Sequence, residues 1–145
     1  MAAKSRTPEI ERQLEIIRLG VEELIPEAEL VHKLGRSIAT KTPLRVKQGF
    51  DPTAPDIHLG HTIGLRKLRQ FQELGHQVVL IVGSYTALVG DPSGRSDTRP
   101  TLSESDVMTN AQTYLDQFFK VVDKARTEVR WNGDWFKPMS FVEIL

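Results

Sequence analysis

The sequence predicts an α/β fold, in which a parallel sheet has flanking helices and is preceded by two N-terminal helices. Three observations predict it. Residues 44–49 alternate in polarity as a strand does. Residues 59–74 carry apolar side chains at helical spacing, and residues 77–82 form a second, β-branched strand-like run. A strand, a helix and a strand in this order form a βαβ unit, in which the crossover helix joins two parallel strands and the connection is right-handed.

The composition indicates a globular chain with no membrane-spanning segment. Of its 145 residues, 39% are hydrophobic and 26% are charged, and 19 basic residues balance 19 acidic ones, so no global positive field attracts nucleic acid or membranes. The absence of cysteine excludes disulfide scaffolds, thiolate metal sites and cysteine nucleophiles. The longest purely apolar run, residues 78–82, is far shorter than the roughly 20 residues of a spanning helix. No leader pattern is visible, and we expect a cytoplasmic location.

Two amphipathic helices are predicted before the sheet. Thr7 is a suitable N-cap with Pro8 in the first turn, and Gly20 is a suitable stop. A second helix is predicted to begin near Pro26. We expect both helices to pack on the core through apolar residues at helical spacing. These are Ile10, Leu14, Ile17 and Val21 in the first helix, and Leu30, Val31, Leu34 and Ile38 in the second.

The crossover helix is predicted over residues 59–74, with Gly75 ending it. It follows a segment that cannot be helical throughout, because Pro52 and Pro55 each bias the preceding residue towards extended backbone. The residues expected on its buried side are Leu65, Leu68 and Phe71. Its basic residues are instead expected on a solvated face, and these are Arg66, Lys67 and Arg69.

Another helix and a third strand are predicted after the second strand. A long polar loop is expected over residues 83–101. Ser103 and Asp106 then resemble a capping box that opens a helix, whose apolar stripe begins at Val107. Residues 128–131 are expected to form the third strand, and Ser140 to cap a further helix.

Two unusual segments follow the predicted strands, at the edge where open parallel sheets bind ligands. The first, residues 51–61, contains His58 and His61 at the start of the crossover helix, with Gly60 between them. At this spacing the imidazoles project on the same side, beside the free N–H groups of the helix N-terminus. The pattern favours a phosphate site, in which two imidazoles stabilise charge on phosphate oxygens.

Two other interpretations of this histidine pair stay open. The first is a pair of surface histidines that happens to lie near a helix start. The second is a metal site completed by Asp51 or Asp56, which would suit a metal-dependent phosphohydrolase. Because no third histidine lies nearby in the sequence, we prefer the phosphate site and expect no bound metal.

The second segment, residues 90–96, is a polar, glycine-rich loop. Arg95 and Arg99 provide guanidinium groups that bind phosphate bidentately, and Asp91 suits an ammonium group. The loop is not a Walker A motif, because its spacing differs and no lysine precedes Ser96. An ordinary exposed turn explains this loop taken alone, whereas two such loops over one sheet edge indicate a ligand site.

Together, residues 49–61 and 89–96 resemble the bacterial tyrosyl-tRNA synthetases. His58-Leu59-Gly60-His61 is similar to the signature of class I synthetases, usually written HIGH. The proline-rich lead-in, the Gly-Asp-Pro-Ser-Gly loop at residues 90–94 and Arg99 make the resemblance highly specific, and it covers essentially the whole chain. It implies a Rossmann-like catalytic fold, of which this chain holds an incomplete part.

The resemblance implies a tyrosine–tRNA ligase, which joins L-tyrosine to ATP and then transfers it to tRNA(Tyr). ATP, as Mg–ATP, is the implied substrate, and no other cofactor is expected. The tyrosine carboxylate would attack the α-phosphorus of ATP, so that positioning and charge stabilisation carry the rate.

The resemblance also assigns roles to particular residues. The implied catalytic residues are His58, His61 and Thr53, and the implied ATP-binding residues are Thr53, His58, Gly60, His61, Arg95 and Arg99. The implied tyrosine-binding residues are Asp51, Thr86, Asp91 and Lys47. Lys47 stands where many members carry a tyrosine that contacts the substrate phenol.

Finally, the resemblance implies an N-terminal helical segment, residues 1–43, packed on the first half of the catalytic domain, residues 44–145. The family's KMSKS loop, most of its dimer interface and its main tRNA-binding regions would lie beyond residue 145. We expect a homodimer for the full-length enzyme, and an inactive or severely impaired piece when this chain stands alone. The alternative function is a non-catalytic nucleotide- or protein-binding module.

Overall fold

A parallel sheet with helices against one face forms the centre of the molecule. The structure, a computed structural model, describes residues 7–89 and 102–144. In this part of the chain, the sheet has the strand order β1-β2-β3, with β1 at Arg45–Phe50, β2 at Gln77–Val82 and β3 at Thr127–Trp131. The longer helices are α1 (Pro8–Arg18), α2 (Glu27–Thr40), α3 (Leu59–Glu73) and α5 (Glu104–Phe118). Short helical turns are α4 (Thr86–Val89), α6 (Gly133–Phe136) and α7 (Phe141–Ile144).

The register of the sheet confirms the predicted βαβ unit. β1 pairs in parallel with β2, so that Arg45 lies opposite Gln77 and Phe50 lies opposite Val82. β2 also pairs in parallel with β3, which brings Trp131 beside Val82. All three strands therefore end at the same edge, where the first unusual segment, residues 51–61, begins. No helix of the described residues is both long enough and apolar enough to cross a membrane.

The main core lies between one face of the sheet and helices α3 and α5. Its β2 residues are at alternate positions, as a pleated strand requires, and they pack against the apolar stripes of the two helices. Its buried members include Leu65, Leu68, Val78, Leu80, Val82, Ala111, Phe118 and Val122. The stripes predicted for α3 and α5 are therefore confirmed.

A second apolar cluster joins the two N-terminal helices to α3 at Phe71. Ile10, Leu14 and Ile17 of α1 pack with Leu34 of α2 and Phe71 of α3. Thr7 caps α1 by accepting a hydrogen bond from the Ile10 N–H (3.4 Å), as predicted. Gly20 follows the helix end with φ +72°, a conformation that favours glycine.

The prediction for α2 is wrong at one position. Ile38 is 37% exposed, and Ser37 is buried in its place. The Ser37 hydroxyl donates to the Thr42 carbonyl (2.6 Å), which satisfies this buried group at the end of the helix. The apolar spacing alone could not show that Ser37, and not Ile38, is buried at this end of α2.

Lys67 also departs from the prediction of a solvated basic face on α3. Its ammonium group donates to the carbonyls of Ile17 (2.6 Å) and Leu19 (2.7 Å), at the C-terminal end of α1. A cation is favoured there because the last carbonyls of a helix lack partners and carry the negative end of its dipole. Burial lowers the pKa of Lys67 below its ordinary value.

The region after β2 shows both a confirmed and a missed element. The capping box at the start of α5 is confirmed, because Ser103 N–H donates to Asp106 (3.1 Å) and Asp106 N–H donates to Ser103 Oγ (3.2 Å). The Ser103 hydroxyl also donates to the Asp106 carboxylate (2.6 Å), and this hydrogen bond, together with that from the Ser103 N–H, lowers the pKa of Asp106. The helical turn α4 lies in the segment predicted as a polar loop, of which residues 90–101 are outside the described part.

Candidate functional site

The two histidines meet at the first turn of α3. His58 is the N-cap of this helix and His61 lies one turn further, so their ring centroids are 4.1 Å apart. His58 Nδ1 accepts a hydrogen bond from the Gly60 N–H (3.1 Å), and His61 Nδ1 accepts one from the His58 N–H (3.2 Å). Both imidazole rings therefore accept hydrogen bonds from backbone N–H groups at the N-terminus of α3.

These contacts decide which ring nitrogens are available to a ligand. A neutral imidazole carries one acceptor nitrogen and one N–H donor. Because Nδ1 is the acceptor in both His58 and His61, each ring presents its Nε2–H group as a donor. Two neighbouring donors beside a helix N-terminus favour an anion with several oxygens, such as a polyphosphate.

Gly60 is required by the close approach of the His58 ring. A Cβ atom at Gly60 would lie 2.8 Å from Cε1 and 2.9 Å from Nδ1 of His58. Any side chain at this position would therefore displace the imidazole and break its hydrogen bond with the helix N-terminus. The glycine between the two histidines thus keeps His58 in place.

An open cavity of about 530 Å³ lies beside the histidine pair. It runs along the end of β1 and the first two turns of α3, next to the ring of Phe50. Its walls include backbone at three glycines, which allows a ligand to approach closely. The lining residues are Gln48, Gly49, Phe50, Asp51, His58, Gly60, His61 and Gly64.

A hydrogen-bond network that includes Asp51 of this cavity joins the segments that follow all three strands. The Thr86 hydroxyl donates to Asp51 Oδ1 (2.6 Å) and accepts from Asn132 Nδ2 (2.8 Å). Asn132 Oδ1 in turn accepts from the Tyr85 N–H (2.8 Å). Asn132 is 5% exposed, so its amide has a fixed orientation and holds Thr86 towards Asp51. The Asp51 carboxylate is exposed and retains acceptor capacity for an ammonium group.

The structure brings together some of the predicted site residues and separates others. His58, Gly60, His61 and Asp51 line one cavity, and Thr86 is bound to Asp51. Thr53 lies in the loop between them with an exposed side chain, and its N–H donates to the Asp51 carbonyl (2.8 Å). The predicted residues Asp91, Arg95 and Arg99 lie outside the described residues.

Lys47 lies apart from this group. It lines a different cavity of about 500 Å³ on the sheet, with Arg45, Val79, Ile81, Arg130 and Trp135. Side chains alternate along β1, so Lys47 and Gln48 project to opposite faces. The role of Lys47 stays a prediction.

Sequence reasoning missed Asn132, the buried centre of the network. Its position directly after β3, at the ligand edge of the sheet, was a usable signal. The neighbouring Gly133 N–H also donates to Ser84 Oγ (3.1 Å), which ties the end of β3 to the turn after β2. No group of three His, Asp or Glu side chains in residues 7–89 and 102–144 converges as a metal site.

The chain is similar to a known family over most of its length. The sequence profile of tRNA synthetases class I (W and Y) matches residues 39–145. The matched segment includes the whole sheet, the histidine pair and the network around Asp51.

Curated relatives named tyrosine–tRNA ligase are similar to nearly the whole chain. The one from Moorella thermoacetica is 54% identical over 137 residues, which are 94% of this chain and 33% of the relative. The one from Bordetella pertussis is 54% identical over 133 residues, which are 92% of this chain and 32% of the relative. The chain spans about a third of the length of the curated relatives it matches.

Solved structures share the fold. The tyrosyl-tRNA synthetase from Archaeoglobus fulgidus, solved with L-tyrosine, superposes with a TM-score of 0.67 at 23% identity over 93% of this chain and 38% of its own. A truncated mitochondrial tyrosyl-tRNA synthetase from Aspergillus nidulans gives a TM-score of 0.66 at 22% identity, over 98% of this chain and 42% of its own. The predicted fold class is therefore confirmed.

Proposed function

The chain belongs to the family of class I tRNA synthetases for tryptophan and tyrosine, and from this premise we propose that it is the ATP- and amino-acid-binding part of a tyrosine–tRNA ligase. The full-length protein would activate L-tyrosine with ATP to tyrosyl-adenylate and transfer the tyrosyl group to tRNA(Tyr). The relatives that are 54% identical over 137 and 133 aligned residues carry the name of this activity. ATP is proposed to enter as its magnesium complex, as a substrate.

The observation that carries the proposal is the pair of imidazoles at the start of α3. Both Nδ1 atoms are occupied by backbone N–H groups, so both Nε2–H groups are available beside the 530 Å³ cavity. Donors held in place before the reaction stabilise charge as it develops, at no cost of reorganisation. We propose that His58 and His61, with Gly60 and Thr53, bind the phosphates and the adjoining ribose of ATP.

The amino-acid substrate is proposed to bind at the strand-edge network. Asp51 is an exposed carboxylate whose orientation is held by Thr86 and, through it, by Asn132. A carboxylate held in this way suits the α-ammonium group of an amino acid. Asp91 is proposed to assist it, Lys47 to lie near the side-chain end of the substrate, and Arg95 and Arg99 to bind the pyrophosphate end of ATP.

The proposed reaction needs no covalent bond to the protein. A carboxylate oxygen of tyrosine forms a bond to the α-phosphorus of ATP, and the bond from this phosphorus to the β-bridging oxygen breaks. Pyrophosphate leaves with the electron pair and carries the developing charge. The side chains of this chain then have two tasks, which are to align the carboxylate with the α-phosphorus and to stabilise the leaving group.

The remaining expectations concern the whole protein. We propose that residues 1–43 are a helical segment packed on a catalytic domain that begins at residue 44. This assignment is supported by the apolar cluster between α1, α2 and α3. A homodimer, a cytoplasmic location and contact with tRNA(Tyr) mainly through later regions complete the proposal.

The test is tyrosine-dependent exchange of pyrophosphate into ATP, measured on the protein at the full length of its relatives. Because each imidazole acts as a preorganised donor, His58→Ala and His61→Ala are each expected to lower the exchange rate by about 10²- to 10³-fold. His32→Ala, at an exposed position of α2, is the matched control and should leave it unchanged. Absence of exchange in the full-length wild type would contradict the proposal. A loss of only modest ATP affinity in the variants, without exchange, would instead indicate a nucleotide-binding module.

A further inference from the structure

The loop that leads into the histidine pair depends on hydrogen bonds from α5. This loop, residues 51–58, connects β1 to α3 and contains Pro52 and Pro55, which have no N–H group. Its backbone therefore cannot form the regular hydrogen-bond pattern of a helix or a strand. Backbone polar groups that lack such partners must find them elsewhere.

Gln117 of α5 supplies hydrogen-bond partners to residues 55–57 of this loop. Its Oε1 accepts from the Ile57 N–H (3.2 Å), while its Nε2 lies within hydrogen-bond distance of the Pro55 carbonyl (3.2 Å) and Asp56 Oδ1 (3.3 Å). The same amide nitrogen lies 3.2 Å from the Thr113 carbonyl of its own helix. One side chain thus binds the loop through a donor and an acceptor at once.

Two further residues on the same face of α5 contact the loop. Asn110 Nδ2 donates to the Pro52 carbonyl (3.2 Å), and the Tyr114 hydroxyl interacts with the backbone of Ala54. Positions 110, 114 and 117 lie on one face of a helix, at spacings of four and three residues. Burial raises the pKa of the Tyr114 hydroxyl, which keeps it a neutral phenol, and the ring centroids of Tyr114 and His61 are 6.1 Å apart.

The contact at Ile57 is the one that reaches the candidate site. Ile57 directly precedes His58, whose N–H binds His61 Nδ1 (3.2 Å) and whose ring caps the helix. Fixing the Ile57 backbone therefore fixes where α3 begins, and with it the orientation of both imidazoles. We infer that Gln117 is a positioning residue for His58 and His61, acting through the backbone of residues 55–57. The importance of this positioning for catalysis rests on the proposed function.

The chemistry of the amide makes the inference specific to glutamine. The groups near Nε2 are all acceptors, namely two carbonyls and the Asp56 carboxylate. In Gln117→Glu the acceptor for the Ile57 N–H is retained, but a carboxylate replaces the donor and faces Asp56. Gln117→Met removes both functions and keeps a similar length. Both variants should loosen the loop, for two different reasons.

The experiment follows the loop and the histidines directly in the 145-residue chain. Long-range ¹H–¹⁵N NMR reports the imidazole tautomers, and amide hydrogen exchange reports the Ile57 N–H. In the wild type we expect His58 and His61 protonated at Nε2. In Gln117→Met we expect the Ile57 N–H to exchange about tenfold faster and the histidines to populate both tautomers. Gln117→Glu should show the same tautomer mixing.

Gln112→Met is the matched control, because Gln112 lies on the exposed side of the same helix, where its amide donates to Asp116 Oδ1 (3.0 Å). It changes the helix in the same way but should leave the tautomers and the Ile57 exchange as in the wild type. Unchanged tautomers in both Gln117 variants, or equal mixing in Gln112→Met, would overturn the inference.

Titration with ATP separates this inference from the proposed function. If the wild type binds ATP, we expect Gln117→Met to weaken binding about tenfold and Gln112→Met to leave it unchanged; equal affinity of Gln117→Met and the wild type would overturn the inference. If the wild type binds no ATP, the proposed nucleotide site of this chain fails. The tautomer measurement then still decides whether Gln117 positions the histidines.

Discussion

Replacing Gly83 with alanine places a methyl group where the Asp51 carboxylate lies. Gly83 directly follows β2 and is buried, and its N–H donates to the Phe50 carbonyl (2.8 Å), so its backbone is held. A Cβ atom there would lie 1.7 Å from Asp51 Oδ1 and 2.6 Å from Thr86 Oγ1. Distances under 3.0 Å require a shift, so the carboxylate must move by about 1.3 Å, the difference between 3.0 Å and 1.7 Å.

The size of the effect follows from what this movement breaks. The Asp51 carboxylate would lose its hydrogen bond with Thr86, and hydrogen bonds to charged groups contribute roughly 1.5–3 kcal/mol. Overpacking adds roughly 1–3 kcal/mol, although Asp51 is exposed and relieves part of the strain by turning towards solvent. We therefore expect Gly83→Ala to lower the free energy of unfolding by about 2 kcal/mol. For a chain of this size that corresponds to a Tm lower by roughly 4–8 °C.

Urea and thermal unfolding of the 145-residue chain measure this loss. The matched control is Gly49→Ala, at the end of β1, where a Cβ atom would meet only ordinary contacts at 3.8 Å or more. We expect the control to stay within about 0.5 kcal/mol of the wild type. If Gly83→Ala were as stable as Gly49→Ala, the close approach of Asp51 to Gly83 would not exist in solution, and the proposed ammonium site would lose its geometric basis.

Two further predictions concern the attachment of α1. Lys67→Met keeps the apolar stem but removes the donor to the Ile17 and Leu19 carbonyls, so the free energy of unfolding should fall by about 1–3 kcal/mol. The control Lys33→Met breaks an exposed ion pair with Glu29 and should lower it by under about 1 kcal/mol. Equal losses in urea unfolding would contradict the role of Lys67. Burial lowers the pKa of His76, whose Nδ1 accepts from the Leu44 N–H (3.2 Å) and whose Nε2 lies 3.0 Å from Gln13 Oε1. Its neutral form therefore stabilises the fold at pH values above the ordinary imidazole pKa of 6.5, and this stability is lost as the pH falls below that value. Urea unfolding at pH 7.5 and 5.5 should show a larger loss for the wild type than for His76→Asn, which cannot take up a proton, and equal losses would refute this.

The parts of the fold that were predicted correctly depend on neighbours in the sequence. The Thr7 cap and the Ser103–Asp106 capping box join residues three positions apart, and the sequence displays both partners together. The strand at residues 77–82 is recognisable because β-branched residues suit a buried strand. Local chemistry of this kind needs no knowledge of the tertiary fold.

The predictions that failed or were missing concern partners far apart in the sequence. Lys67 binds carbonyls 48 and 50 residues away, so its basic side chain looked like an ordinary solvated group. Ile38 fits the helical spacing, but whether its side chain is exposed depends on how α2 packs against the other helices. Asn132 lies 46 residues from Thr86, and no sequence pattern between them predicts their hydrogen bond.

The candidate site shows the same division. The sequence by itself determined that two imidazoles three residues apart would share one side of a helix start, because helix geometry places them there. It also determined the strand edge at which Asp51 would lie. Only the tertiary structure decided which ring nitrogens of His58 and His61 remain free. It also decided that Asn132 binds Thr86 beside Asp51, and that Gln117 of α5 binds the loop before His58. The reason is physical: hydrogen bonds depend on distances of about 3 Å and on direction, and between distant segments both are set by packing.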